Sequence, residues 1–338
     1  MKIVFFGTPE YVLSVIDQIH RKWKDSKGNS PIVAVVTQPP KITGRKKILT
    51  YSPVDNWAHK HKIPIFFDTN KLLESKLEWD LGILAAYGQI IPQDVINAFP
   101  KGILNIHPSI LPEFRGASPI QAIIATEKIP GVTIIKLDNL MDHGPIVSQF
   151  ADELLESDTL DTLRTRLFQR ASQVLINLIP AYLNNKINLK EQNHSQATYT
   201  KLIKKEDGYI PFDILQKAMN RKKFKLQVEF IYKRSKYREK RIPLHQIKNG
   251  KQLHNLLKAF TPWPGLWTTI KIPSKSKEEQ NRNEKIFNTE KRLKILTAHI
   301  EGKNEKFYKF VPDLVQLEGK KAVSWNQFEK AYLIKSDL

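Results

Sequence analysis

The sequence predicts an α/β protein. A doubly wound, Rossmann-like N-terminal domain spans residues 1–190, a polar linker spans 191–206, and a smaller C-terminal β domain, a barrel, spans 207–338. Three observations predict this. Runs of Val, Ile and Leu alternate with helical-period segments through the first half. Beyond residue 206 the pattern changes to short alternating segments separated by turns. The charge divides at the same place: residues 1–190 hold 22 Lys and Arg against 18 Asp and Glu, whereas residues 191–338 hold 32 against 16.

Residues 2–6 read as a buried strand closed by Gly7, and residues 11–23 place Val12, Val15, Ile16 and Ile19 on one helical face. A second strand at 32–36 stops at Gln38-Pro39-Pro40. A short helix at 53–61 and a short strand at 63–67 follow, then a buried strand at 81–86 ended by Tyr87-Gly88. Strands at 103–106 and 132–137 precede a long amphipathic helix at 160–183. Near-continuous apolar strands between helices indicate a parallel sheet covered on both faces. Such sheets bind ligands at the carboxyl ends of their strands, which directs attention to the residues that end them.

In the C-terminal part, residues 225–232, 266–272 and 291–296 alternate as strands, residues 252–260 form a helix, and 274–284 is a charged, mobile loop. Residues 217–251 carry 13 Lys and Arg against two acidic residues, Glu229 and Glu239. Aromatics interleave with these cations, as in Tyr232-Lys-Arg-Ser-Lys-Tyr237. Such a surface can pair with phosphates and stack on unpaired bases; it can equally be a solvated lysine-rich hairpin.

Composition sets limits. The 338 residues are 41% hydrophobic, enough for sizeable cores, and the net charge of +20 favours a polyanionic partner. A lysine-rich proteome would give the same sign. The absence of cysteine excludes disulfides, thiolate metal sites and cysteine nucleophiles, and fits a reducing compartment. The first apolar run is too short for a signal peptide, and no window reaches the ~20 apolar residues of a membrane span. A cytoplasmic monomer without membrane association is expected. Gly7-Thr8-Pro9 is not a dinucleotide fingerprint and no phosphate loop occurs, so no nucleotide cofactor is assigned. His59 and His61 read as a solvated pair rather than metal ligands, no metal is expected, and Trp263 and Trp267 read as core.

The informative stretch is 105–121, Asn-Ile-His-Pro-Ser-Ile-Leu-Pro-Glu-Phe-Arg-Gly-Ala-Ser-Pro-Ile-Gln. Asn105 and His107, two apart at the end of a strand, point to one face. Pro108 and Pro112 stiffen the loop that follows. Met141-Asp142-His143-Gly144 places a carboxylate on a tight loop after the next strand. An amide donor, a histidine and a carboxylate suit acyl transfer to an amine. The amide stabilises the oxyanion of a tetrahedral intermediate, the histidine stabilises that oxygen or passes protons, and the carboxylate orients the histidine or takes the amine proton. The substrate amine is the nucleophile, so no serine or cysteine need attack. By itself, an Asn-x-His after a strand is more often structural than catalytic.

Over nearly its full length the chain resembles the methionyl-tRNA formyltransferase family, within the folate-dependent formyltransferase superfamily. Ile3-Val-Phe-Phe-Gly7-Thr8-Pro9-Glu10 is similar to that family's first strand and loop, and the segment from Gln38-Pro39 through Gly44-Arg45-Lys46-Lys47 to Ser52-Pro53-Val54 to its basic loop. Ala86-Tyr87-Gly88-Gln-Ile90-Ile91-Pro92 is similar to its folate-pocket wall, and the 105–121 stretch with Met141-Asp142-His-Gly144 to the superfamily signature. Phe260-Thr-Pro262-Trp263-Pro264-Gly265, residues 199–208 and residues 317–325 resemble its C-terminal segments. Where the family more often has Leu, position 110 has Ile. Residues 217–251 are longer than the family's usual connection.

The resemblance implies that Asn105, His107 and Asp142 are catalytic. It implies that Ser109, Ile110, Leu111 and Pro112, with Tyr87, Gly88, Ile90 and Ile91, contact the folate, and that Arg45, Lys46 and Lys47 contact the acceptor end of tRNA. The basic excursion offers Arg234, Lys236 and Arg238 as further tRNA contacts. The implied C-terminal barrel is OB-like, the implied donor substrate is 10-formyltetrahydrofolate, and the implied partner is initiator methionyl-tRNA. The alternatives are the same chemistry on a sugar-nucleotide amine and an RNA-binding protein whose transferase site has decayed. The intact trio argues against decay.

Overall fold

From the N-terminus the chain forms β1 (Ile3–Gly7), α1 (Leu13–Trp23), β2 (Ile32–Val36), β3 (Lys41–Thr43), β4 (Ile48–Thr50), α2 (Pro53–Lys60), β5 (Ile65–Phe66), α3 (Thr69–Glu74) and β6 (Leu81–Ala85). It goes on through α4 (Gln93–Asn97), β7 (Ile103–His107), β8 (Arg115–Gly116), α5 (Pro119–Thr126), β9 (Gly131–Lys136), β10 (Ile146–Ala151), α6 (Leu160–Leu183) and β11 (Tyr199–Thr200). The remainder is α7 (Phe212–Met219), β12 (Leu226–Arg234), β13 (Arg241–Ile247), α8 (Gly250–Phe260), β14 (Leu266–Pro273), β15 (Asn288–Glu301), β16 (Lys309–Leu317), β17 (Ala322–Ser324) and α9 (Trp325–Tyr332). The structure, a computed structural model, describes residues 1–44, 47–234, 241–273, 288–302 and 308–332. Contacts divide them into two units. The first is Met1–Ile120, Ile129–Glu156 and Asp161–Thr200; the second is Gln121–Lys128, Ser157–Leu160 and Lys201–Leu338.

The first unit is built on a seven-stranded sheet in the order β10-β9-β7-β6-β1-β2-β5. β1 is buried at every position because both faces of its strand are covered, which is why it reads as an unbroken apolar run. Val4 and Phe6 join Ala34, Val36, Tyr87, Val95, Phe99 and Ile103 in one core cluster. Local chemistry sets the helix starts. Ser52 accepts a hydrogen bond from the Asp55 N–H at the start of α2, with Pro53 in the first turn.

The expected all-parallel sheet is corrected to a mixed one. β1, β2, β5, β6 and β7 are parallel, but β9 runs antiparallel to β7 and β10 runs antiparallel to β9. A buried run such as Gly131–Lys136 looks the same in either direction, so composition carries no signal for its sense.

In the second unit β14, β15, β16 and β17 form an antiparallel sheet in that order, and β12 pairs with β13 as a hairpin. Ile270, Leu293, Val315, Leu317 and Phe328 form a core on this sheet. No pairing among the described residues closes these strands into a barrel, so the fold of this part stands as an antiparallel sheet. Alternation specifies strands, not closure. The loop expected at 274–284 lies outside the described residues.

Two side-chain expectations are corrected. Trp263 is not core: it is 55% exposed. His61 is not simply solvated: its ring packs on Trp57 at 4.3 Å and on His20 at 4.5 Å. Among the described residues no helix is long and apolar enough to cross a membrane, and no group of three or more His, Asp or Glu is arranged to hold a metal ion.

Candidate active site

β7 delivers Asn105 and His107 to one side at its carboxyl end, both buried, with His107 opposite Thr133 of β9. Asp142 reaches them from the turn between β9 and β10. Its Oδ1 accepts from Asn105 Nδ2 at 3.3 Å and lies 3.4 Å from His107 Nδ1, while its Oδ2 accepts from the Gly116 N–H at 2.7 Å. The three residues read as a trio from sequence therefore meet around one carboxylate.

The ring of His107 stands between two acceptors, the Phe114 carbonyl 3.0 Å from Nε2 and Asp142 at Nδ1. Only a doubly protonated imidazole donates to both. Burial pulls the His107 pKa down and is the largest single influence. The charge and hydrogen bond of Asp142, aided by the Phe114 carbonyl, outweigh it, and the pKa stands above the ordinary histidine value. Burial likewise pushes Asp142 up, but the His107 charge and hydrogen bond, the Gly116 N–H and Arg115 hold its carboxyl below the ordinary range. The site thus favours an imidazolium beside a carboxylate, with the Asn105 amide at their side.

The turn that follows β7 is fixed from within. Ser109 Oγ donates to the Glu113 carbonyl at 2.6 Å. Thr133 Oγ1 donates to the Ser109 carbonyl at 2.7 Å and accepts from the Leu111 N–H at 3.0 Å and from Gln149 Nε2 at 2.8 Å. Ser109 and Leu111 are buried; Ile110 and Pro112 are half-buried. β6 lies beside β7 with Ala85 opposite Ile106, so residues 86–91 leave the sheet next to the strand that carries Asn105 and His107. There Tyr87 and Ile91 are buried, Gly88 takes φ +80°, and Ile90 is 87% exposed. The Tyr87 carbonyl accepts from Thr8 Oγ1 and Gln38 Nε2, tying together the chain ends that follow β1, β2 and β6.

Other expected contacts fall elsewhere. Lys47 is exposed beside the β3–β4 hairpin, which also presents Ile42, Ile48 and Leu49 to solvent. Arg45 and Lys46 lie outside the described residues, as do Lys236 and Arg238. Arg234 is exposed at the end of β12, and the Arg241 guanidinium stands 4.8 Å over the Tyr232 ring.

Sequence reasoning missed three supports. Thr133 is hidden in an apolar strand. Arg115, 2% exposed, sits in the informative stretch but had no role assigned. Gln192 falls in the stretch read as a linker, yet it is buried and hydrogen-bonded. Only Arg115 carried a usable signal, an arginine between Phe114 and Gly116 in a loop whose one other charge is Glu113.

A model of the formyl transferase family matches residues 1–179. A methionyl-tRNA formyltransferase of Chloroflexus aggregans is 38% identical over 221 residues, covering 63% of this chain and 70% of the relative. One of Staphylococcus epidermidis is 33% identical over 277 residues, covering 80% and 76%. Among solved structures, a sugar 3N-formyl transferase determined with dTDP and 5-N-formyl-THF aligns with a TM-score of 0.56 at 17% identity, over 95% of this chain and 99% of that one. A 4-N formyltransferase from Francisella tularensis gives 0.54 at 17%, over 79% and 92%. These two likenesses are of fold. The chain belongs to the formyl transferase family, and the curated relatives at 33–38% identity are methionyl-tRNA formyltransferases.

Proposed function

We propose that this enzyme transfers the formyl group of 10-formyltetrahydrofolate to the free amino group of methionyl-initiator-tRNA, in the cytoplasm, giving formylmethionyl-tRNA for translation initiation. The observation that carries this reading is the similarity to methionyl-tRNA formyltransferases over as much as 80% of the chain. The cation-rich β12–β13 hairpin supports it, because an RNA acceptor presents a long run of phosphates to an exposed cationic surface, whereas a sugar nucleotide offers a single diphosphate that one pocket can hold.

In this reading the amine nitrogen attacks the formyl carbon and a tetrahedral intermediate forms. The Asn105 amide donates an N–H to the developing oxyanion, and the positive charge of the His107 imidazolium, whose own N–H groups face the Phe114 carbonyl and Asp142, stabilises it electrostatically. Asp142 keeps His107 charged and accepts the proton that the amine must lose. The carbon–N10 bond then breaks and N10 takes up a proton. The turn at Ser109, Ile110, Leu111 and Pro112, with Tyr87, Gly88, Ile90 and Ile91, holds the reduced folate. The basic loop of Arg45, Lys46 and Lys47, with the exposed Ile42, Ile48 and Leu49, meets the acceptor end of the tRNA. Arg234, Lys236 and Arg238 meet phosphates further along.

The test is transfer of label from 10-formyl-labelled tetrahydrofolate. Label on the methionyl ester of initiator tRNA is the expected result. Label on a dTDP-amino sugar and none on methionyl-tRNA would replace this reading with the sugar-nucleotide one.

A further inference from the structure

Gln192 lies between α6 and β11 and is 6% exposed. Its amide makes three hydrogen bonds. Nε2 donates to the Asp142 carbonyl at 2.9 Å and to the Gly144 carbonyl at 2.8 Å, and Oε1 accepts from Arg115 Nη2 at 2.6 Å. Both N–H groups and the oxygen are thus used, which a buried amide requires. Arg115 Nη2 also reaches His194 Nδ1 at 2.8 Å, and since a guanidinium can only donate, that ring nitrogen accepts.

The turn clasped by this amide is one that needs holding. Asp142 adopts φ +49°, in the left-handed region, which a side-chain-bearing residue keeps only where its surroundings enforce it. Gly144 is closed in as well, since a Cβ there would collide with the Lys136 carbonyl. The same Arg115 precedes Gly116, whose N–H binds Asp142 Oδ2. Arg115 and Gln192 therefore act on both ends of Asp142: its backbone through the amide, its carboxylate through the neighbouring peptide.

We propose that Gln192, anchored by Arg115, is a positioning residue that sets the Asp142 carboxylate against Asn105 and His107. The inference rests on the reading of Asp142 as part of the transfer site. Gln192→Glu separates positioning from packing. It keeps the shape and the Arg115 contact, but it replaces two donors with an acceptor facing two carbonyls.

The experiment compares full-length Gln192→Glu, Gln192→Ala, Asp142→Ala and the double variant Gln192→Ala/Asp142→Ala, using 10-formyltetrahydrofolate and methionyl-tRNA, with thermal unfolding followed in parallel. Both Gln192 variants should lower kcat about 10- to 100-fold, the loss that misplacement of a reacting group by about 1 Å produces. KM for both substrates should stay within about threefold. Gln192→Glu should melt several degrees lower, as stranding the Asp142 and Gly144 carbonyls requires, but remain fully folded by circular dichroism at the assay temperature, so that the loss of turnover is not loss of fold. In the Asp142→Ala background, Gln192→Ala should cost less than about twofold more, because its target is already gone. Wild-type kcat in both Gln192 variants beside a crippled Asp142→Ala overturns the positioning role and leaves the site reading standing. A full additional loss in the double variant also overturns it. Wild-type turnover of Asp142→Ala removes the site reading and this inference together.

Discussion

The carboxyl end of β7 and the β12–β13 hairpin use polar side chains in opposite ways. At β7, Asn105 and His107 are buried and share one carboxylate, so each group has a single arrangement set by its neighbours. On the hairpin, Lys233, Arg234 and Arg241 stand exposed at the strand ends. A buried polar network depends on geometry, and losing one member strands the others. An exposed cationic surface depends on the number of charges and is screened by salt. The first arrangement suits chemistry and the second suits grip on a polyanion.

The sharpest way to break this contrast is to truncate the buried network. Asn105→Ala, His107→Ala and Asp142→Ala should each lower turnover by about 10²–10³-fold or more, the scale on which loss of oxyanion stabilisation or of a positioned proton acceptor acts. Steady-state kinetics on variants shown folded by circular dichroism checks this. Near-wild-type turnover in any two would dissolve the assignment.

Next in size is Thr133→Val, which keeps the volume and removes the hydroxyl that the Ser109 carbonyl, the Leu111 N–H and Gln149 share. Stranding these buried groups should cost about 2–3 kcal/mol in urea unfolding. KM for the folate should rise more than KM for the tRNA. A variant as stable as the wild type would show that the 109–112 turn holds itself.

The hairpin should respond differently. Replacing Arg234, Lys236 and Arg238 together with Ser should flatten the dependence of log K on log salt for tRNA binding by about one to three units, with folate affinity unchanged. Phosphate contacts are largely blind to sequence, so initiator and elongator tRNAs should lose affinity alike. An unaltered slope in filter binding would mean that this hairpin is a solvated face only.

The smallest effect is the pH dependence of stability. His107 has its pKa raised in the folded protein, so its contribution is complete below the ordinary value of about 6.5 and is lost as pH climbs through the raised value. Asp142 has its pKa lowered, so its contribution is present above about 3.9 and is lost as pH falls through the lowered value. The stability gap between wild type and Asp142→Asn should therefore be widest between those two ordinary values and narrow on either side. A gap independent of pH would show that the pair is not ionised.

The sequence made the centre of the first unit legible because strand burial and helical period are local signals. β1, β2, β6, β7 and α6 lie where the apolar patterns put them. The meeting of the trio was hinted at by Asn105 and His107 sitting two apart on one strand with Asp142 after the next, but its reading as catalytic came from the family resemblance and not from the spacing. The antiparallel sense of β9 was not legible, since direction leaves no mark on a fully buried run. Gln192 was not legible because its partners, Arg115, Asp142 and Gly144, are 77, 50 and 48 residues away. The expected closure of the C-terminal strands into a barrel, drawn from alternation and the family resemblance, is not shown by the pairings among the described residues, because alternation is equally satisfied by the antiparallel sheet of β14 to β17.

The most direct measurement of the central claim is a competition in one vessel. Full-length enzyme, 10-formyltetrahydrofolate, methionyl-initiator-tRNA and a dTDP-amino sugar are mixed, and the ratio of the two kcat/KM values is read from the formylated products. A ratio in favour of the tRNA by about 10³ or more, well beyond what one methylene-sized contact can discriminate, is the predicted result. A preference for the amino sugar, or equal use of both, would contradict the account.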